Sequence, residues 1–406
     1  MKRQKPKRRR RALEGIRIID LSQGWGGPGA SMLLADQGAD VIKVEPLEGD
    51  QGRGYFANPP IHGLERGFLA INRGKRGIAL NLKMKKGKEI LYRLVKDSDI
   101  LMHNFRQGVP ERLGVDYEKV KRINPGLIYV SLSPFGKIGP YSGQRAYDVV
   151  IQALSGVMGG QLPDKPPVPS GIWVSDCSTM IMLAYAITLA LLVREKTGLG
   201  QQVETSLLNQ ALFMQLPDLV RTREELNHSG NNDYTKNLWA YHTPYRCQDE
   251  SFIIPVAMTN EHWRSLCQAL EVESMGEDSI YDSPLKRFQN GEKIHQELGK
   301  MFLQKPREVW VKRLTAADVP HAPVLKKDEV FLHPQIVENE MMVEFNHPIA
   351  GPVKMVGLSF TLSETPGAIT MPAPLLGEHT QEILKELGYR DKDIVKMREK
   401  EVVKVL

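Results

Sequence analysis

Between residues 14 and 133 short apolar runs alternate with amphipathic ones, and this order is what most restricts the fold. The runs are "IRIIDL", a helix-like segment through Gly38, "ADVIKVE", "RGIALNL", the helix "KKGKEILYRLVKDS", "DILMHNF" and "GLIYVSLSP". Strands separated by helices need crossover connections, which give parallel βαβ units. The expected class is therefore α/β, with an open Rossmann-like sheet. Ligands in such sheets lie beyond the carboxyl ends of the strands, so chemistry is expected in the loops after Leu21, Leu82, His103 and Ser133.

A chain of 406 residues, 41% hydrophobic, can bury a sizeable core and hold two or three domains. We expect a basic, disordered tail over 1–12, a large domain that begins over 13–225, a smaller α+β domain over 226–325, and a return to the large domain over 326–406. The net charge of +6 comes from the first eleven residues, "MKRQKPKRRRR", whose eight Lys and Arg leave 46 basic against 48 acidic residues elsewhere. The body is therefore near neutral, and it is the tail that could bind nucleic acid or an acidic surface. The tail has no apolar stretch of a secretory signal, and a cytoplasmic location is expected. The run "MIMLAYAITLALLV" has 14 residues, against about 20 needed to span a bilayer, and is expected to be a buried helix. A turn, a short strand and a long helix are expected over "TGLGQQVETSLLNQALFMQL". Cys177, Cys247 and Cys267 form no C-x-x-C pair and the histidines are scattered, which argues against disulfide and metal chemistry.

Two stretches bear on function. In "GWGGPG", Gly24, Gly26 and Gly29 satisfy G-x-G-x-x-G, and the next strand ends in Glu45, the local pattern of a nicotinamide site. In "GIWVSDCSTMIMLAYAI", Asp176 stands at the mouth of an apolar helix. If that helix begins near Cys177, Asp176 is at or near the N-cap, where the helix dipole is expected to depress its pKa. It is then either a simple cap or a nucleophile, since a carboxylate attacks a thioester without an activating base. No G-x-S-x-G elbow or P-loop competes with it. Arg73, Lys75, Arg76, Arg106, Arg112 and Arg145 fall in loops where a polyphosphate would be held.

Taken together, "GIRIIDLSQGWGGPGASMLLADQGADVIKVE", "NRGKRGIALNLK", "HNFRQGVPERLG", "YDVVIQALSG", "REKTGLGQQVETSLL" and "PAPLLGEHT" resemble the family III CoA-transferases, whose relatives include the α-methylacyl-CoA racemases. The resemblance runs from Leu13 to Tyr389. It implies that the glycine loop serves CoA rather than NAD, with Pro28 removing one N–H that a pyrophosphate could use. It also implies Asp176 as the catalytic aspartate and Lys75, Asn104, Phe105, Arg112, Arg145 and Tyr147 as CoA contacts. Gly24, Trp25 and Gly26 would lie near the thioester, and Asp148 follows Tyr147 as an acid does in the transferases. The racemases carry His at the position of Tyr147, which favours transfer over racemisation.

The implied reaction moves CoA from an acyl-CoA donor, succinyl-CoA among the candidates, to a free carboxylic acid, with no tightly bound cofactor. The implied assembly is an interlocked homodimer, or a heteromer with a related subunit, without membrane attachment. Two departures concern the substrate. The formyl-CoA branch has Gln where Trp25 stands and a basic residue where Pro46 stands, and it carries a glycine run that "HSGNNDYTKNLWAYHTPY" lacks. Oxalate and formate are therefore not expected, and a medium or aromatic acid is. The rival readings are a CoA-dependent racemase, an NAD-dependent oxidoreductase, and a nucleic-acid binder working through the tail.

Overall fold

The strands of the central sheet are built for burial on both faces. Within β1 (Arg17–Asp20), Ile18 faces one layer of helices and Ile19 the other, and both are fully buried. The computed structural model describes residues 10–54, 61–62, 64–159, 166–224 and 242–406. Most of the basic tail and most of "HSGNNDYTKNLWAYHTPY" lie outside the described residues. The chain divides into two compact units. The larger holds residues up to Met158, Pro169–Leu219 and Glu338–Leu406, and the smaller holds Gly159–Val168 and Val220–Val337.

In chain order the larger unit continues with α1 (Gly26–Asp36), β2 (Asp40–Glu45), α2 (Arg66–Ile71), β3 (Lys75–Leu80), α3 (Lys85–Lys96), β4 (Ile100–His103), α4 (Val109–Leu113), α5 (Tyr117–Ile123) and β5 (Ile128–Ser133). Then come α6 (Asp148–Leu154), α7 (Val174–Thr197), β6 (Gln202–Ser206) and α8 (Leu207–Phe213). These six strands pair in parallel in the order β3-β2-β1-β4-β5-β6, and the short C-terminal strand Val403–Lys404 adds antiparallel to the outside of β3. The order reverses between β1 and β4, which opens a crevice beyond their carboxyl ends.

One face of the sheet packs Ile19, Ile42, Ile78 and Leu101 against Ile90, Leu91 and Leu94 of α3 and against Ile383, Leu384 and Ile394 near the C-terminus. The other packs Ile18, Val41, Ile100 and Val130 against Ala30, Leu34 and Ala35 of α1 and Leu183, Ile187 and Ala190 of α7. The C-terminal segment thus completes a layer begun more than 280 residues earlier in the chain.

Two expectations about helices change. The apolar run around Leu183 belongs to a helix of 24 residues, because "VSDCST" before it and "REKT" after it continue the same turns. By length and composition α7 could cross a membrane, yet it is buried along one face only, with Ile181, Tyr185, Leu189 and Leu192 exposed on another. The helix after β6 is shorter than expected, at seven residues. Ser206 caps it, accepting from the Asn209 N–H at 3.1 Å, and Pro217 disfavours helix in the residue before it.

Taken alone, the smaller unit is α+β. Strands Tyr245–Arg246, Phe252–Pro255 and His321–Pro323 form an antiparallel sheet against helices Asn260–Ala269, Gly291–Phe302 and Arg307–Ala316. Its core is aromatic: Trp263, Phe302 and Trp310 are each at most 1% exposed.

Candidate active site

The amino ends of α1 and α7 meet at the crevice between β1 and β4. Trp25 and Trp173 occupy their N-cap positions, and their rings make an edge-to-face contact at 5.1 Å. One turn into α7 stands Asp176, whose Oδ1 accepts the Gly26 N–H at 3.1 Å. The two helices approach this closely because of glycine. A Cβ on Gly26 would lie 3.0 Å from Asp176 Oδ1, and one on Gly29 would lie 2.3 Å from Met180 Sδ.

Below Asp176 lies the buried carboxylate of Asp148, the first residue of α6. Its Oδ2 accepts the Ser175 hydroxyl at 2.7 Å and the Asp176 backbone N–H at 3.0 Å, and its Oδ1 accepts from the Gln152 amide. Asp148 therefore supplies the acceptor that the first turn of α7 lacks, since Trp173 caps nothing. The Asp176 side chain is left to face the cavity.

That cavity measures about 760 Å³, within the usual range for small-molecule sites. Gly24, Trp25, Gly26, Asn104, Phe105, Arg145, Tyr147, Asp148 and Asp176 all line it, which brings together most of the residues expected from the sequence. Of the four loops expected to carry chemistry, those after β1, β4 and β5 line it and the one after Leu82 does not. Arg106 and Arg145, both exposed, are its cationic side chains.

Lys75 and Arg112 stand elsewhere. The Lys75 ammonium is fully buried and donates to Pro28 O at 2.7 Å, Asn72 Oδ1 at 2.8 Å and Asp20 Oδ2 at 3.2 Å, so it holds the fold beneath the loop rather than facing a ligand. Arg112 is exposed on α4 and does not line the cavity. Arg73 and Arg76 are tied to Asp36 and Asp40 at 2.8 Å each. Gln51 and Trp173 line the cavity without having been anticipated. Nothing local marks Gln51, whereas Trp173, three residues before Asp176, could have been read as the helix cap.

Asp176 also differs electrostatically from expectation. Burial and then the negative charge of Asp148 push its pKa up to about 7, and the Gly26 N–H only partly opposes them. Desolvation outweighs the dipole because one hydrogen bond, among the described residues, replaces the water the carboxylate would keep outside. The neighbouring His103 is held neutral, at about 4, mainly by burial. Its Nδ1 accepts the Phe105 N–H at 3.1 Å and its Nε2 meets the Tyr129 hydroxyl at 2.7 Å, which fixes the loop that carries Asn104 and Phe105.

The geometry is that of a doubly wound sheet with a buried aspartate beside the cavity at its switch point, and the family follows from comparison. Residues 13–380 match the model of CoA-transferase family III, and the chain belongs to that family. It is 33% identical to the formyl-CoA:oxalate CoA-transferase of Streptomyces coelicolor, over 95% of this chain and 97% of that one. It is 31% identical to the human succinyl-CoA:glutarate CoA-transferase, over 94% and 87%. Among solved structures, a CaiB/BaiF family protein from Brucella suis superposes with a TM-score of 0.80 at 27% identity, over 93% of this chain and 100% of that one. The chain is thus an enzyme with CoA-transferase activity, whose substrates are CoA thioesters and carboxylates.

Two outcomes follow from this geometry. Lys75→Met removes one partner of a buried pair and should destabilise the fold by about 3–5 kcal/mol in chemical denaturation, while the molecules that remain folded keep the parent KM for acyl-CoA. A changed KM at unchanged stability would return Lys75 to the ligand site. For Asp176, the raised pKa means that its own contribution to native-state stability is complete below about 4, falls as pH rises and is gone above about 7. Asp176→Asn escapes that loss, so it should exceed the parent by about 1–3 kcal/mol above pH 7, with the gap closing toward pH 4. A pH-independent gap would contradict the assignment.

Proposed function

We propose that the protein transfers CoA between carboxylic acids through a covalent intermediate on Asp176. The observation that carries this reading is the position of Asp176: partly desolvated, held by one backbone N–H, and facing a cavity of CoA-transferase descent. An Asp176 oxygen attacks the donor thioester carbonyl, and collapse of the tetrahedral intermediate breaks the C–S bond, leaving a mixed anhydride and CoA thiolate. The thiolate then attacks the Asp176 carbonyl carbon, which forms the aspartyl-CoA thioester and releases the donor as its carboxylate. The acceptor carboxylate attacks that thioester, and the expelled thiolate takes the acceptor acyl group from the resulting anhydride. The Asp176 carboxylate is regenerated.

Each tetrahedral intermediate carries an oxyanion, and at the amino end of α1 the Gly27 N–H is the amide left for it, since the Gly26 N–H goes to Asp176, Pro28 has none and the Gly29 N–H goes to Trp25 O. Arg106 and Arg145 at the cavity suit the phosphates of CoA. For the acyl partners we favour succinyl-CoA as donor and a medium or aromatic acid as acceptor. The Trp25–Trp173 corner gives an apolar wall beside Asp176, and a succinyl-CoA:glutarate enzyme is among the relatives. Tyr147 at the position of the racemase His speaks for transfer.

We further propose a homodimer in the cytoplasm. Ile181, Tyr185, Leu189 and Leu192 form an apolar stripe along α7, and Leu212, Phe213, Met214 and Leu216 continue the exposed apolar surface of the larger unit. A stripe of this kind on a folded domain marks a protein interface. The three thiols are unpaired, two of them buried, which fits a reducing compartment.

Three experiments test these readings. Incubation with succinyl-CoA, hydroxylamine trapping and peptide mapping should yield a hydroxamate at Asp176, and Asp176→Ala should bind CoA yet lose essentially all turnover. Substantial turnover by that variant would sink the mechanism. In analytical ultracentrifugation the parent should sediment as a dimer and Leu189→Arg/Leu192→Arg as a monomer. A monomeric parent would overturn the assembly.

A further inference from the structure

Beneath the glycine loop runs a set of buried charges that the proposed chemistry does not use. Lys43, on β2, and Asp50 form an ion pair at 2.6 Å, with both side chains fully excluded from solvent. The pair grips the backbone between β1 and α1 at two points. Lys43 Nζ donates to Ser22 O at 3.1 Å, and Asp50 Oδ1 accepts the Gly24 N–H at 3.1 Å as well as the Gly52 N–H at 2.7 Å. Between those points the Asn104 amide takes both backbone groups of Gln23, accepting its N–H at 2.9 Å and donating to its carbonyl at 2.7 Å. Asp20 completes the set by accepting the Ser22 N–H at 2.9 Å.

Every residue from Ser22 to Gly24 is therefore pinned through its main chain by a side chain from another part of the fold. Two residues further on, Gly26 presents the N–H that meets Asp176. We propose that the Lys43–Asp50 pair is a positioning device for catalysis: it fixes the glycine loop in the one register at which the Gly26 amide meets the nucleophile. This rests on the proposed role of Asp176. Neither Lys43 nor Asp50 lines the cavity, so the pair acts only through the loop.

The physical logic favours position over stability. A buried pair of this kind adds little net stability compared with apolar residues of the same size, because desolvation offsets most of the attraction. What it supplies is directional bonding to two named backbone groups. In turn Asp50 is itself oriented, its backbone N–H bonding Glu45 Oε1 at 3.0 Å, while Arg53 holds both oxygens of Glu45 at 2.8 and 2.7 Å. Glu45, which would hold a ribose in a nicotinamide site, is spent on this scaffold instead.

The test is the rate at which Asp176 becomes acylated or thioesterified at saturating succinyl-CoA, read by hydroxylamine trapping, alongside the affinity for CoA. Asp50→Asn should slow adduct formation about 10- to 100-fold while CoA affinity stays within about threefold and circular dichroism is unchanged. Adduct formation at the parent rate, or a parallel loss of rate and CoA affinity, would overturn the proposal. If that variant does not fold, Lys43→Met/Asp50→Leu removes both charges at once and should fold while showing the same selective loss; parental rates in the double variant would equally overturn it. No adduct on the parent protein would overturn the nucleophile and this inference together, whereas an adduct on the parent and an equally fast one on Asp50→Asn removes this inference alone.

Discussion

The hydrogen bond from the Gly26 N–H to the Asp176 carboxylate joins residues 150 apart in sequence, and much of the larger unit is arranged so that it can form. It requires two helices from different crossovers to bring their amino ends to one point. That in turn requires α1 and α7 to pack side by side on the same face of the sheet, which the Ala30, Leu34 and Ala35 stripe and the Leu183, Ile187 and Ala190 stripe provide. The short side chains on α1 are part of the constraint. A Cβ at Gly29 would strike Met180, and one at Gly26 would meet the Asp176 carboxylate itself.

The strand order explains why this meeting point is also a binding site. Because β2 and β3 lie on one side of β1 and β4, β5 and β6 on the other, the connections leave the carboxyl edge in opposite directions at β1 and β4. The loops at those two strands become the facing walls of the cavity, Gln23–Gly26 on one side and Asn104–Arg106 on the other. They are stitched together by Asn104, whose amide is occupied by Gln23. A residue that the family resemblance marks as a CoA contact thus has a demonstrable structural duty in this chain, and any ligand must use what remains of its surroundings.

Alternating apolar runs were enough to read the α/β class, because strands buried on both faces and amphipathic helices have different periods. The glycine loop and Asp176 were also readable, since glycine and an acid at a helix mouth stand out against apolar neighbours. Lys75 and Arg73 were not. A lysine at a strand start and an arginine in a polar loop look like solvent-facing cations until tertiary contacts reveal Asp20 and Asp36 within reach. The ends of α7 are obscured for a related reason: "VSDCST" and "REKT" are polar, so the sequence suggests a start near Cys177, whereas the helix begins at Val174. Gln51 carries no pattern at all and enters the site only through the turn that Asp50 anchors.

The pKa of Asp176 shows how position along a helix and depth in a fold compete. At a solvated N-terminus the free amides would lower it, yet here the first amides have other work: the Asp176 N–H goes to Asp148, and that acid adds its own negative charge beside the Asp176 carboxylate. The result is a carboxylate that titrates near neutrality and is stripped of most of its water. Such a group is a stronger nucleophile than an exposed aspartate, because higher basicity and weaker solvation both raise its affinity for an electrophilic carbonyl carbon. The same features make it harder to ionise, so the arrangement works only if the charge develops where a donor already waits. The Gly26 amide is that donor, and under the proposed mechanism the side chains beneath the loop hold it in register.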